Sequence, residues 1–312
     1  GLKTIEEAVA LRNKVLERIE AASTITDPSA PAKALTFVVV GAGFAAIIGA
    51  PNGGKPTLVN RLVGSKVSIV THKVQTTRFP VRGVMMRGDA QVVLVDPRGI
   101  FAPKRRLDRA MVQSAWEGAT DADAVVHLVD ARVWTGQDNR TEDEAIIARL
   151  KDLGRKAILA LNKIDMVERQ ALLGAAKELF DTDGSSDVLR ISGLNGDGVD
   201  ELAGMLAARM PEGPFLFPAD QAADIPVRLL AAEVTREKLM LRLHQEIPYQ
   251  LTVETETWEQ HKNGSVKVEQ MIHVSREGHR SIVLGNGGQT IKEIGTAARK
   301  ELAGILGRPV HL

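Results

Sequence analysis

Asn162-Lys163-Ile164-Asp165 closes the apolar run Lys156-Ala-Ile-Leu-Ala-Leu161. A carboxylate at the Asp165 position can accept hydrogen bonds from the N1–H and the exocyclic amino group of guanine. Adenine lacks that donor pair, and a site whose buried polar groups are left unpaired rejects the wrong base strongly. Upstream, Gly49-Ala-Pro-Asn52-Gly53-Gly54-Lys55 follows an apolar stretch and precedes helix-forming sequence. It matches most of the phosphate-loop pattern G-x-x-x-x-G-K-[ST]. Glycines there let the backbone aim its N–H groups at a β-phosphate, the helix start adds its dipole, and Lys55 neutralises β/γ charge. Pro56 stands where the pattern has Ser or Thr. Proline is sterically acceptable in a helix's first turn but brings neither a hydroxyl for Mg2+ nor an N–H for phosphate. Thr57 is counted among the candidate nucleotide contacts, yet it points about 100° further round the helix and does not simply replace the missing ligand.

Three more boxes extend the pattern. Asp96-Pro-Arg-Gly99 ends the apolar run 91–95. An Asp-x-x-Gly there can hold Mg2+ through water and sense a γ-phosphate with the Gly99 amide, although Asp-Pro-x-Gly is also a common turn. Gln75-Thr76-Thr77-Arg78 offers hydroxyls in a segment suited to a mobile switch, and Ser192-Gly193-Leu-Asn-Gly196 can place backbone donors near guanine O6. Every box but the threonine pair closes a strand-like run, and ligands bind at the carboxyl edge of an open α/β sheet. Order and spacing together predict a GTPase-type fold.

The elements that must position these boxes are legible in outline. With 312 residues, 44% hydrophobic and 25% charged, the chain has the composition of a globular protein long enough for two cores. A net charge of +1 gives no global signal for nucleic acid, so any such site must be local. The absence of Cys excludes disulfides and thiolate metal sites and suits a reducing cytoplasm. The most apolar stretch, 34–50, is too short and too broken by Gly for a membrane span, and no basic-then-apolar signal opens the sequence. Residues 1–33 read as an amphipathic helix and linker. Apolar runs at 38–48, 91–95, 124–129, 157–161 and 188–191 alternate with helical periods through 34–210, predicting a doubly wound, mostly parallel sheet. Pro-rich 211–226 reads as a linker.

Residues 227–312 predict a smaller α+β domain: a helix over about 227–243, strands at 250–257 and 265–274, a short strand at 281–284, and a last helix from about 289 to 306. Between the last two lies Gly285-Asn286-Gly287-Gly288, a G-x-x-G loop of the kind with which a KH domain clamps four nucleotides. Its variable pair carries no Lys or Arg, so Lys292 and Arg280, with Arg276 and Arg299 nearby, are the candidate phosphate contacts. From Ala219 onward Lys+Arg and Asp+Glu both number twelve, so a basic patch requires segregation to one face. His244, His261, His273 and His279 are too scattered to suggest a metal site.

The chain resembles the Era family of bacterial ribosome-assembly GTPases from about residue 45 to its end. The resemblance is carried by the boxes above, by Lys73-Val-Gln-Thr-Thr-Arg78, and by Phe215-Leu-Phe-Pro-Ala-Asp220, Arg236-Glu-Lys-Leu239 and Glu246-Ile-Pro-Tyr249. It implies a GTPase domain followed by a KH domain that binds the 3′ end of small-subunit ribosomal RNA, in a cytoplasmic monomer that also associates with the periphery of the inner membrane. It implies GTP or GDP, Mg2+ and K+ as cofactors, and slow intrinsic hydrolysis. By the resemblance, Lys55 contacts the β/γ-phosphates, Asp96 holds Mg2+ through water, and Thr77 (or Thr76) is the switch ligand to Mg2+. Asn162 and Asp165 read guanine with Lys163 packed along the base, and Asn52 coordinates K+. Ile100 follows Gly99 where some GTPases carry a water-orienting Gln. Departures from the family are Pro56, Pro97-Arg98 and Gly193. The C-terminus, at Pro309-Val-His-Leu312, precedes a strand and helix that the family has, which predicts a truncated second sheet. Two alternatives stand beside this reading: an RNA-binding module whose phosphate loop holds nucleotide without normal hydrolysis, and another translation-associated GTPase with a different C-terminal module.

Overall fold

The apolar runs become strands buried on both faces, which is why they are continuous in sequence rather than alternating. The computed structural model describes residues 40–73, 81–96, 106–136, 140–181, 185–244 and 247–312. The expected helix near the N-terminus, Thr76, Thr77 and residues 97–100 lie outside the described residues. Strands β1 (Val40–Ile48), β2 (Val81–Arg87), β3 (Ala90–Asp96), β4 (Ala124–Asp130), β5 (Ala157–Asn162) and β6 (Ser185–Arg190) align in the order β2-β3-β1-β4-β5-β6. All neighbours are parallel except the antiparallel β2–β3 pair. The sequence reading missed β2. Val81-Arg-Gly-Val-Met-Met-Arg87 carries no clean period, and its pairing is a long-range event that its own residues do not announce.

Helices cover both faces: α1 (Lys55–Val63), α2 (Arg106–Asp121), the short α3 (Ala131–Thr135), α4 (Thr141–Asp152), α5 (Arg169–Phe180) and α6 (Val199–Ala207). Successive strand residues point to opposite sides. Ile47, Leu94, Leu128 and Ile158 therefore meet Leu58 of α1 and Leu202 and Leu206 of α6. On the other face, Ile48 and Val125 meet Ile146 and Leu150 of α4, and Leu159 and Leu161 meet Leu172 and Leu179 of α5. Each such buried Leu or Ile contributes about 1.5–3 kcal/mol. His127 is fully buried within β4 and pairs with Asp143 of α4 at 3.0 Å.

Residues 211–226 run along the sheet as a strap. The Ala42 amide donates to Pro211 O, and β7 (Glu212–Gly213) pairs antiparallel with the start of β1. Fully buried Gln91 holds the strap by both ends of its amide, accepting from Leu216 N and Phe217 N and donating to Phe217 O. Further on, Val84 N donates to Ala222 O and Asp224 N to Arg82 O, so the strap also covers the outer edge of β2.

Beyond it come α7 (Val227–Arg242), β8 (Leu251–Gln260), β9 (Val266–Val274), α8 (Glu277–Leu284), α9 (Gln289–Leu306) and β10 (Val310–His311). Two expectations are corrected here. The stretch 281–284 is the end of helix α8, with Gly285 N donating to Ser281 O. The three-stranded sheet has the order β10-β9-β8 and does not include that stretch. Three apolar residues in a run of four, Ser-Ile-Val-Leu, cannot by periodicity distinguish the two states. The second sheet also does not lack a strand, because Val310 and His311 pair parallel with Val266 and Lys267.

The two halves meet at a buried carboxylate. Glu237 of α7, its side chain 3% exposed, accepts from Lys66 Nζ at 2.7 Å and from the Val70 amide at 2.7 Å. Lys238 binds the same group, and Glu301 of α9 bridges Lys66 and Lys238. Lys73 Nζ also donates to Leu243 O. The loop that leaves α1 is thus tied to the second domain. Removing one partner of a buried, hydrogen-bonded pair costs about 3–5 kcal/mol in a dry site and less where its partners are part-exposed. Glu237→Ala is therefore expected to destabilise the docked arrangement by about 2–3 kcal/mol. Faster hydrogen exchange at the Val70 amide and a lower urea midpoint would register the loss.

Candidate functional site

The carboxyl ends of β1, β3, β4, β5 and β6 lie along one edge of the sheet, and every nucleotide box but the threonine pair follows one of them. The phosphate loop turns at Asn52 (φ 63°) and enters α1 through Gly54 (φ 98°). A Cβ on Gly54 would sit 2.5 Å from Asn162 Nδ2, and with its positive φ this favours glycine where the turn packs against the end of β5. Lys55 is buried, and its ammonium donates to Gly49 O and Ala50 O at 2.9 and 2.8 Å. Pro56 lies in the first turn of α1, where its fixed φ fits. Thr57 follows on the same helix, half-buried.

Asn162 ties the boxes together. Its Nδ2 donates to Gly53 O at 2.8 Å, and its Oδ1 accepts from Gly193 N at 2.9 Å. One buried amide therefore spans the phosphate loop and the Ser box. Ser192, fully buried, donates its hydroxyl to Asp165 Oδ1 at 2.6 Å and accepts from Asn195 N, which orients the exposed Asp165 carboxylate. Lys163 (φ 65°) turns the chain out of β5, and its ammonium donates to Asn52 O at 2.6 Å. Left-handed backbone at a long side chain costs about 1 kcal/mol or more and is retained where geometry matters. Arg61 of α1 donates to Gly193 O and Leu194 O, bracing the same loop from the phosphate helix.

Lys163 has a second partner that the sequence reading did not single out. Asp130, the last residue of β4, accepts from Lys163 Nζ at 2.6 Å and from Arg132. Burial pushes the Asp130 carboxyl up, but the hydrogen bonds from Arg132 and Lys163 outweigh it and hold the group below the usual carboxylate range. Its signal in sequence was available: an apolar strand ending in Asp, as the strand before the phosphate-sensing box also does.

The donor set fits a guanine nucleotide: an oriented carboxylate, a loop whose Gly193 is fixed by Asn162, and a glycine-lined turn leading into a helix start with a lysine. It does not fit Mg2+ at the position of Pro56, which offers neither hydroxyl nor N–H. The Asp96 side chain, Thr77 and Gly99 lie outside the described residues, so the structure brings together the phosphate, base and Ser boxes and leaves the remaining metal-ligand candidates unplaced.

In the second domain, Asn286–Gly288 make a tight turn, kinked at Gly287, that leads into α9. Gly285 packs against Thr290, where a Cβ would clash, whereas a Cβ on Gly287 (φ 57°) or Gly288 (φ 79°) would meet nothing within 4 Å. Asn286, Arg280 and Lys292 are exposed around the turn, on α8 and α9, and Ile282 and Leu284 of α8 add exposed apolar surface.

A family model described as a 50S ribosome-binding GTPase matches residues 44–163, and a KH-domain model matches 246–312. GTPase Era of Caulobacter vibrioides (strain NA1000 / CB15N) is 60% identical over 281 residues, covering 87% of this chain and 89% of the relative. GTPase Era of Afipia carboxidovorans is 57% identical over 270 residues, covering 86% of each. Among solved structures, an Era variant of Aquifex aeolicus bound to GDP and AlF4− superposes with a TM-score of 0.80 at 36% identity, covering 87% of this chain and 92% of that one. Era in complex with MgGDPNP and nucleotides 1506–1542 of 16S ribosomal RNA gives 0.80 at 37% identity, covering 88% and 92%.

Proposed function

The chain belongs to the Era family of GTPases, and from that premise we propose a division of labour among its own residues. Asn162, Lys163 and Asp165 hold guanine with Ser192 and Gly193. Gly49, Gly53, Gly54, Lys55 and Thr57 line the phosphates of GTP or GDP, and Asn52 takes K+. Asp96, Thr77 and Gly99 complete the reaction centre. Residues 285–288, with Arg280 and Lys292, clamp the 3′ end of small-subunit ribosomal RNA, like the rRNA segment in the related complex. The protein works as a monomer at the small ribosomal subunit, in the cytoplasm and at the periphery of the inner membrane. Among the described residues no helix is long and apolar enough to cross a membrane.

The observation that carries the nucleotide half is the buried Asn162 amide, which joins two boxes separated by well over a hundred residues. For the RNA half, Gly287 and Gly288 supply a test: a Cβ at either meets no atom within 4 Å, but both carry positive φ, so the melting temperature of the variant is measured beside its affinity. Asp at both positions adds negative charge where phosphate must approach without displacing any packed atom. Binding of a 16S 3′-end oligonucleotide, followed by fluorescence anisotropy, is expected to fall about tenfold or more, since each lost phosphate contact weakens binding across sequences. Unchanged RNA affinity would place the RNA contact elsewhere. A second reading for turnover, in which nucleotide is bound but hydrolysed feebly, is favoured by Pro56 alone.

A further inference from the structure

Among the described residues, Asn52 and Lys163 are the only non-glycine positions with positive φ, and they are bonded to each other through Lys163 Nζ and Asn52 O. The third corner of this contact is Asp130, whose side chain is 8% exposed against 22% for Lys163. Its Oδ2 lies 2.6 Å from the Lys163 ammonium, and its Oδ1 accepts from the Arg132 amide at 3.0 Å, capping α3. Arg132 reaches the carboxylate as well, but its side chain is 43% exposed.

We infer that Asp130 is a positioning residue for nucleotide binding: its carboxylate fixes the Lys163 ammonium, and through it holds the phosphate-loop turn at Asn52 in register with the base-reading loop. The argument is one of geometry and charge. A lysine side chain has several freely rotating bonds and three donors, so a single carbonyl fixes its head weakly. A mostly buried carboxylate at short distance supplies the charge-assisted bond that selects one rotamer. Because Asp130 does not belong to the group that faces guanine, its loss weakens guanine and adenine nucleotides alike and leaves the preference between them intact.

This inference rests on the assignment of residues 162–165 to the base. Asp130→Asn is nearly isosteric and keeps an oxygen acceptor for the Arg132 amide, so it removes the charge while retaining the cap. With the full chain in calorimetry, the GDP dissociation constant is expected to rise about tenfold, the scale of losing one charge-assisted bond. The ratio of GDP to ADP affinity and the melting temperature of nucleotide-free protein stay at their parental values. Lys163→Met loses at least as much GDP affinity, and Asp130→Asn adds nothing further in that background, because both remove one link. Arg132→Ala shifts affinity by less than about twofold, as an exposed pair does. Full additivity of the two substitutions overturns the inference. So does an equal loss in Arg132→Ala, or a loss of affinity matched by a fall in melting temperature. If Asp165→Asn leaves base preference untouched, the base assignment itself fails. If Asp165→Asn behaves as expected while Asp130→Asn is silent, only the role of Asp130 falls.

Discussion

Asp165→Asn is expected to weaken GDP and GTP binding by two orders of magnitude or more. In the proposed placement the carboxylate faces two guanine donors, and replacing it removes two charge-assisted hydrogen bonds, worth about 1.5–3 kcal/mol each. At about 1.4 kcal/mol per tenfold, even the lower figure gives a hundredfold. The direction of the change in specificity also follows from the site. Ser192 Oγ donates to Asp165 Oδ1, so an Asn that keeps its oxygen toward Ser192 turns its NH2 toward the exocyclic position of the base. Guanine carries an amino group there and repels it; xanthine carries a carbonyl and accepts from it. Xanthosine diphosphate should therefore bind Asp165→Asn more tightly than GDP does, reversing the parental order. Calorimetry with GDP, XDP and ADP on both proteins decides the point, and an unchanged GDP constant would falsify the placement of guanine at Asp165.

The boxes proposed to hold base and phosphate stood out in the sequence because each is a contiguous run placed after an apolar strand, and the structure brings them together. What could not be read was how distant residues are cross-linked. Gln91 looks like a polar interruption in a buried strand until Leu216 and Phe217 are seen to use both ends of its amide. Glu237 sits in an ordinary charged stretch of helix, and nothing local reveals that its partners are Lys66 and the Val70 amide. Strand β2 and the strap over 211–226 share the same cause: their order comes from pairing with partners far along the chain. The error at 281–284 was of another kind, since Ser-Ile-Val-Leu suits either state and the run continues a helix that begins at Glu277. Asp130 lies between these cases, its type and position at a strand end being visible but its bond to Lys163 not.

Pro56→Ser carries the largest expected gain of function. The parental residue stands in the first turn of α1, where the helix tolerates it but the phosphate loop receives two fewer groups, one hydroxyl and one N–H. Pro56→Ala separates them, restoring the N–H alone. In the absence of Mg2+, GTP affinity should rise by a similar factor in the Ala and Ser variants, since both present the amide to phosphate. With Mg2+ present, only Pro56→Ser should gain further. Single-turnover hydrolysis should then exceed the parental rate by about a hundredfold, the scale on which one preorganised polar group acts in a charged transition state. Because the helix start is already formed around Gly54, neither variant should alter the melting temperature by more than about 2 °C, the scale of the few tenths of a kcal/mol that neutral first-turn changes produce. If Ser and Ala hydrolyse GTP equally, the hydroxyl has no part in turnover, and the expectation built on Pro56 falls. If Ser alone responds to Mg2+, the hydroxyl missing at residue 56 is what limits the parental site.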